Sequence, residues 1–235
     1  MSNSDLKISV LMPYNKKNIH RYKSFNWVVK RYQTLWPGIE LVLQEDESNS
    51  FHKTKTLNKA FNRSTGDIII LADSDIFFSK NLIPAVLKTE FEWLLPYSTY
   101  KSLTPYSTDK ILRRDVKFDV DKNQEQIITK LELENSVGGL VFLKREIYKQ
   151  INGLDERFKG WGCEDTALVR ILTGMFGESQ RLNFSIYHLW HPPKEKAKSI
   201  KDGTFQENKL LSLRYQENMG NKEKLYCLTR EWGKL

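Results

Sequence analysis

The sequence predicts an α/β protein: a Rossmann-like, mixed but mostly parallel sheet flanked by helices, with a helical C-terminal tail. Three observations carry this expectation. Between Lys7 and Ala72, short apolar runs alternate with amphipathic stretches in the order β-α-β-α-β, the pattern of parallel strands joined by helical crossovers. Each apolar run ends in a polar cluster, as strands do when their carboxyl ends line a ligand crevice. The chain has 235 residues and is 40% hydrophobic, enough for one sizeable core plus an appendage.

The elements follow in order. Lys7–Met12 is a short apolar run stopped by Pro13, a buried strand. From Ile19 to Leu35, Tyr22, Phe25, Val28, Val29 and Tyr32 share one helical face, and Trp36-Pro37-Gly38 breaks the helix. Ile39–Leu43 is a second strand. Lys53–Arg63 is a helix with Leu57, Ala60 and Phe61 inward, ended by Ser64-Thr65-Gly66. Asp67–Ala72 is a third strand, apolar enough to be covered on both faces. Beyond it the pattern predicts helices over 81–95 and 121–134. A strand entered through Gly138-Gly139 follows, then a short helix over 145–151, a glycine-rich loop over 158–162, a helix over 164–175 and a strand over 182–187. The domain is expected to span 1–193, with a nucleotide-binding half near 7–95 and an acceptor half near 136–193. Residues 194–235 form the helical extension.

The net charge of +8 suggests an anionic partner, such as a phosphorylated small molecule, nucleic acid or a membrane surface. Nucleic acid is set aside, because the basic residues are interspersed with acids and no nucleic-acid-binding motif is present. A peripheral membrane contact stays compatible with the charge. The two cysteines, Cys163 and Cys227, form neither a disulfide framework nor a zinc pattern. With no apolar signal segment in Met1–Asp5 and no run of the ~20 apolar residues a span requires, the expected location is cytoplasmic.

Asp73-Ser74-Asp75 follows the third strand directly. Two carboxylates at a strand end suit a hard divalent cation that bridges phosphates, although the same triplet could cap a helix. His188 and His191 lie three apart after the last strand. With the aspartates they make a mixed carboxylate–imidazole set that suits Mn²⁺ better than Mg²⁺. Asp46 ends the second strand as a candidate acceptor for a base or ribose, and Lys55 on the next helix is a candidate phosphate contact. Gly160-Trp161-Gly162 reads as a mobile aromatic loop on which a sugar could stack. Glu164 and Asp165 open the next helix, where acids suit the dipole and one could serve as a general base.

The order of Gly138-Gly139-Leu140, Ile151-Asn152-Gly153-Leu154-Asp155 and Gly160-Trp161-Gly162-Cys163-Glu164-Asp165 resembles the C-terminal signature of β-1,4-galactosyltransferases. It also resembles bacterial chondroitin-polymerase-type transferase domains. With Asp73-Ser74-Asp75 the resemblance covers most of 7–191. It implies a GT-A fold and inverting transfer from a UDP-sugar to a carbohydrate or glycoconjugate acceptor, with Mn²⁺ as the usual metal. It further implies Asp75 and His191 as metal ligands, with His188 where the family carries Met. Asp73 would lie near the ribose, Pro13 and Tyr14 at the uridine, and Asp46 at the base. Asp165 would be the catalytic base, Glu164 an acceptor contact and Trp161 the tryptophan that closes over the donor. The membrane anchor and stem of the animal enzymes have no counterpart, which implies a soluble microbial or viral form. A retaining transferase of the polypeptide N-acetylgalactosaminyl type is the nearest alternative, and the Trp-Gly-x-Glu-Asp loop argues against it.

Overall fold

The computed structural model describes residues 6–48 and 51–233. In chain order the strands are β1 (Ile8–Tyr14), β2 (Glu40–Glu45), β3 (Ile68–Ala72), β4 (Ile76–Phe78), β5 (Trp93–Leu95), β6 (Thr99–Leu103), β7 (Thr129–Glu134), β8 (Leu140–Lys144), β9 (Gln180–Arg181) and β10 (Ser185–His188). The helices are α1 (Ile19–Leu35), α2 (Lys53–Arg63), α3 (Leu82–Leu87), α4 (Pro105–Leu112), α5 (Arg145–Gln150), α6 (Glu164–Phe176), α7 (Lys194–Lys201), α8 (Thr204–Glu217) and α9 (Lys222–Leu228).

The expected β-α-β-α-β unit is present. β1 lies between β2 and β3, parallel to both. Its register with β3 stops at Leu11, so Pro13 faces only β2 and its missing N–H costs less there than between two neighbours. The strand therefore runs on through Pro13 to Tyr14. The sheet continues through β8 and β5, paired antiparallel, to β9, in the order β2-β1-β3-β8-β5-β9. β3 is buried along its whole length. α1 turns Phe25, Trp27, Val28 and Tyr32 inward, and α2 turns Leu57, Ala60 and Phe61.

Two expectations are corrected. Residues 81–95 are not one helix. α3 stops at Leu87, and the apolar Trp93-Leu94-Leu95 enters the sheet beside β8 as a buried strand. Residues 121–134 are a single 3-10 turn at Gln124–Gln126 followed by β7. The segment Thr-Lys-Leu-Glu-Leu-Glu alternates with a period of two, a strand signal that high helix propensity of Lys, Leu and Glu obscures. β7 belongs to a second, four-stranded sheet, β4-β10-β6-β7, which the sequence did not announce. It forms because the chain reverses at Asp73-Ser74-Asp75 and β10 returns alongside β4.

The tail is helical, as expected, and it packs on the domain. α8 and α9 cover α6, and a side chain at Gly174 would collide with Leu225 of α9. Buried Tyr215 donates from its hydroxyl to Asp155 at 2.8 Å, and Arg157 pairs with both Asp155 and Glu231. No helix among the described residues is long and apolar enough to cross a membrane.

Candidate active site

Two centres meet at the reversal between β3 and β4. The first surrounds Asp75. Its carboxylate is fully buried, and one ligand atom from each of Asp75, His188 and His191 lies within 4.8 Å of the others. Asp75 Oδ2 is 3.5 Å from His188 Nε2, 3.5 Å from His191 Nε2, and accepts from Arg21 Nε at 2.8 Å. Asp75 Oδ1 is buried with no partner. Burial opposes ionisation of Asp75, but the Arg21 guanidinium and the two imidazoles outweigh it and hold the carboxyl well below its usual range. His191 is pushed down by burial, against the pull of Asp75, so its ring is neutral at pH 7. Its Nδ1 lies 3.0 Å from the Pro192 carbonyl, which can only accept, so Nδ1 carries the proton and Nε2 presents its lone pair to Asp75. An orphaned carboxylate oxygen beside two imidazole nitrogens fits Mn²⁺.

The second centre surrounds Lys53. Its buried ammonium is 2.8 Å from Asp73 Oδ1, 2.8 Å from Asp165 Oδ1 and 3.6 Å from Glu164 Oε1. Burial would lower this ammonium, yet the three carboxylates hold it well above its ordinary value. Asp165 is pushed up to about 7 by burial; Glu164 and Asp73 raise it further and Lys53 only partly offsets them. Its backbone position is set by unusual chain geometry. Gly160, Gly162 and Cys163 all have positive φ, at 62°, 111° and 71°, which turns the loop sharply into α6. Gly138 on the facing strand entry leaves room for the carboxylate: a Cβ there would lie 2.6 Å from Asp165 Oδ2.

The triplet is thus divided. Asp75 joins the histidines, whereas Asp73 pairs with Lys53. The chain bends at Ser74, and the two side chains meet different partners.

Beside Asp75, Tyr14, Asn15, Asn18, Arg21, Phe51 and Glu195 line a cavity of about 300 Å³. It shares Asn15, Asn18, Phe51 and Glu195 with a wider cleft of about 910 Å³ whose rim carries Lys194 and Lys198. Tyr14 stacks on Phe25 with ring centroids 4.2 Å apart. Pro13 is buried in β1 behind it. Asp46 is engaged in holding its own loop, accepting from Ser48 N at 3.0 Å and His52 N at 2.6 Å. Lys55 is exposed on the outer face of α2, lining a groove with Asp46, His52 and Lys59. The lysine of α2 that reaches the carboxylates is Lys53.

Trp161 is 39% exposed, but its loop is held rather than loose. Its ring stacks on Phe205 of α8 at 5.5 Å and lies under the Lys196 ammonium, and its backbone N–H donates to Ser199 Oγ at 2.9 Å. Asn208 of α8 donates to the carbonyls of Lys159 and Gly162.

Sequence reasoning missed Lys53, Arg21, Phe51 and Glu195. A signal existed for two of them. Lys53 shares its helical face with Leu57 and Ala60, at i, i+4 and i+7, while Lys55 and Lys59 share the outer face. Arg21 precedes Phe25 and Val28 by the same spacing on the inward face of α1.

With this geometry in view, the fold is the GT-A glycosyltransferase fold. A family described as the N-terminal domain of galactosyltransferase matches residues 120–194, less than half the chain. Beta-1,4-galactosyltransferase 7 of Drosophila melanogaster is 44% identical over 36 residues, which is 15% of this chain and 11% of that relative. Among solved structures, glucosyl-3-phosphoglycerate synthase from Mycobacterium tuberculosis, in complex with Mn²⁺, UDP-glucose and glycerol 3-phosphate, superposes with a TM-score of 0.53 at 13% identity, covering 93% of this chain and 81% of that one. A Drosophila β-1,4-galactosyltransferase 7 mutant with manganese, UDP-galactose and xylobiose gives a TM-score of 0.46 at 17% identity, over 81% and 73% of the two chains.

Proposed function

We propose that this chain is an inverting, Mn²⁺-dependent glycosyltransferase. It moves a hexose or N-acetylhexosamine from a UDP-sugar to a hydroxyl of a carbohydrate or glycoconjugate. The observation that carries the reading is Asp165, a carboxyl raised to about 7 at a helix start, next to a centre that suits a divalent cation. A base with that value is half ionised near neutral pH and can both take and release a proton. The galactosyltransferase match over 120–194 supports the class, and the UDP and Mn²⁺ of the GT-A neighbour support the donor.

In this reading Asp75, His188 and His191 would hold the metal, which would supply Lewis-acid stabilisation of the diphosphate. Tyr14 and Phe51 supply apolar ring faces for the uracil, and the Arg21 guanidinium lies next to Asp75, where diphosphate charge develops. Glu164 hydrogen-bonds the acceptor, and Trp161 shields the reacting carbon from water. Asp165 accepts the acceptor hydroxyl proton as the acceptor oxygen bonds to the anomeric carbon. The bond from that carbon to the diphosphate oxygen breaks, and UDP leaves with the electron pair. Lys53 orients Asp165 and keeps its pKa from rising further.

Asp165→Asn keeps the shape and removes the base. Transfer should fall by roughly 10²–10⁴-fold while UDP affinity in Mn²⁺ stays near wild type. Near-normal turnover would overturn the assignment. Product anomeric configuration, read by NMR, separates inversion from retention.

A further inference from the structure

We propose that the acceptor site continues onto an apolar shelf made by Tyr100, Leu131 and Leu133, and that the acceptor carries an alkyl or acyl aglycone there. This rests on the transferase reading above.

The shelf follows from sheet register. His188 of β10 aligns with Ser102 of β6, which aligns with Leu131 of β7; Ile186 aligns with Tyr100, which aligns with Leu133. Aligned residues on neighbouring strands project from the same face, as do residues two apart on one strand. One face therefore carries His188, then Tyr100 and Ser102, then Leu131 and Leu133. Two contacts agree with this. The Tyr100 ring stacks on His188 at 5.6 Å, and on the opposite face Lys101 pairs with Glu132. Leu131 is 50% exposed and Leu133 is 42% exposed. Alternation of leucine with Lys130, Glu132 and Glu134 is the pattern of a strand whose one face is covered, yet β7 is exposed along nearly all its length.

The shelf is continuous with both centres. On one side it begins at the candidate metal ligand His188. On the other, β7 leads through Asn135–Val137 to Gly138, against Asp165 Oδ2. Arg181 fixes that connection by donating to the carbonyls of Tyr97, Asn135 and Ser136. Gly138 lies five positions after Leu133, at most ~18 Å along the chain. An acceptor whose hydroxyl sits at Asp165 thus extends its aglycone toward Leu133 and Leu131. The leucines offer neither an aromatic face for a sugar ring nor a hydrogen-bonding group. Their chemistry matches methylene groups.

The test uses the full chain with Mn²⁺, a panel of UDP-hexoses and UDP-N-acetylhexosamines, and paired methyl and octyl β-glycosides of xylose, glucose, galactose and N-acetylglucosamine. Octyl glycosides should show a KM roughly tenfold below that of their methyl partners, the worth of about two buried methylenes. Leu131→Ser with Leu133→Ser should bring the ratio to about twofold or less, with a UDP–Mn²⁺ titration checking that the variant is folded. Leu133→Ser alone should fall between. An equal KM for methyl and octyl acceptors would overturn the shelf while leaving the transferase reading intact. So would an octyl preference that survives the double substitution, or a wild-type dimer that dissociates in the variant with the preference unaltered. Absence of transfer to every acceptor would overturn both readings.

Discussion

Replacing Lys53 by Met removes the one ammonium that Asp73, Glu164 and Asp165 share, at nearly constant side-chain length. The result should appear in the pH profile of transfer. A unit charge pair near 3 Å in a medium of effective dielectric about 20 interacts by roughly 5 kcal/mol. The effective loss at Asp165 is smaller, because three carboxylates divide the cation and the Asp165 side chain is 28% exposed. About 1.5–3 kcal/mol is a fair share, which corresponds to ~1–2 pKa units. The sign is fixed: removing a cation disfavours the carboxylate, so the Asp165 value moves up from about 7. Since the base must be ionised, the acid limb of kcat/KM moves to higher pH by the same amount. At pH 7 the ionised fraction falls roughly 5- to 50-fold, and activity recovers toward pH 9. Initial rates of UDP release from pH 5.5 to 9.5 measure it. An acid limb that stays in place, or moves to lower pH, would refute the claim that Lys53 sets the state of Asp165.

Asp75→Ala and His191→Ala should each abolish Mn²⁺-dependent UDP binding in calorimetry, and chelation should do the same to the wild type; affinity retained in Mn²⁺ would exclude this metal centre. Gly138→Ala forces a methyl to within 2.6 Å of Asp165 Oδ2, so turnover should drop at least ~10-fold with UDP affinity little altered, and a normal kcat would show that Asp165 has room to spare. Asn208→Ala deletes the amide that ties the carbonyls of Lys159 and Gly162 to α8. Leaving these groups without it should lower stability by ~1–3 kcal/mol and raise the share of donor lost to water, seen as UDP release without acceptor.

The half of the fold built from local periodicity was legible, and the half built from long-range pairing was not. α1 and α2 begin and end where the sequence places them, because their apolar faces, breakers and length all agree. β3 was equally plain, as five consecutive apolar residues between a glycine turn and an acidic triplet. β7 was misread, since Lys, Leu and Glu favour helix locally and only pairing with β6 decides for strand. The choice of Lys55 over Lys53 has a similar origin. Both fall in one short run of lysines, and a count of positive charge does not say which one turns inward. The packing of Leu57 and Ala60 against the sheet says it.

The hold of the tail on the Trp161 loop was illegible for a different reason. Glycines at 160 and 162 read as freedom, and in an isolated segment they would be. In the folded chain they serve close approach. A Cβ on Gly160 would lie 2.5 Å from Ser199 Oγ, and one on Gly162 would lie 2.7 Å from the Phe205 ring. These glycines let α7 and α8 reach the loop backbone, and their positive φ angles turn the chain so that Asp165 meets Lys53. One pair of residues therefore does two jobs, one for the base at 165 and one for the clasp at 199–208. That arrangement makes the C-terminal extension part of the candidate active site: what fixes the geometry of Asp165 on one side is Lys53 and Gly138, and on the other it is Ser199, Phe205 and Asn208.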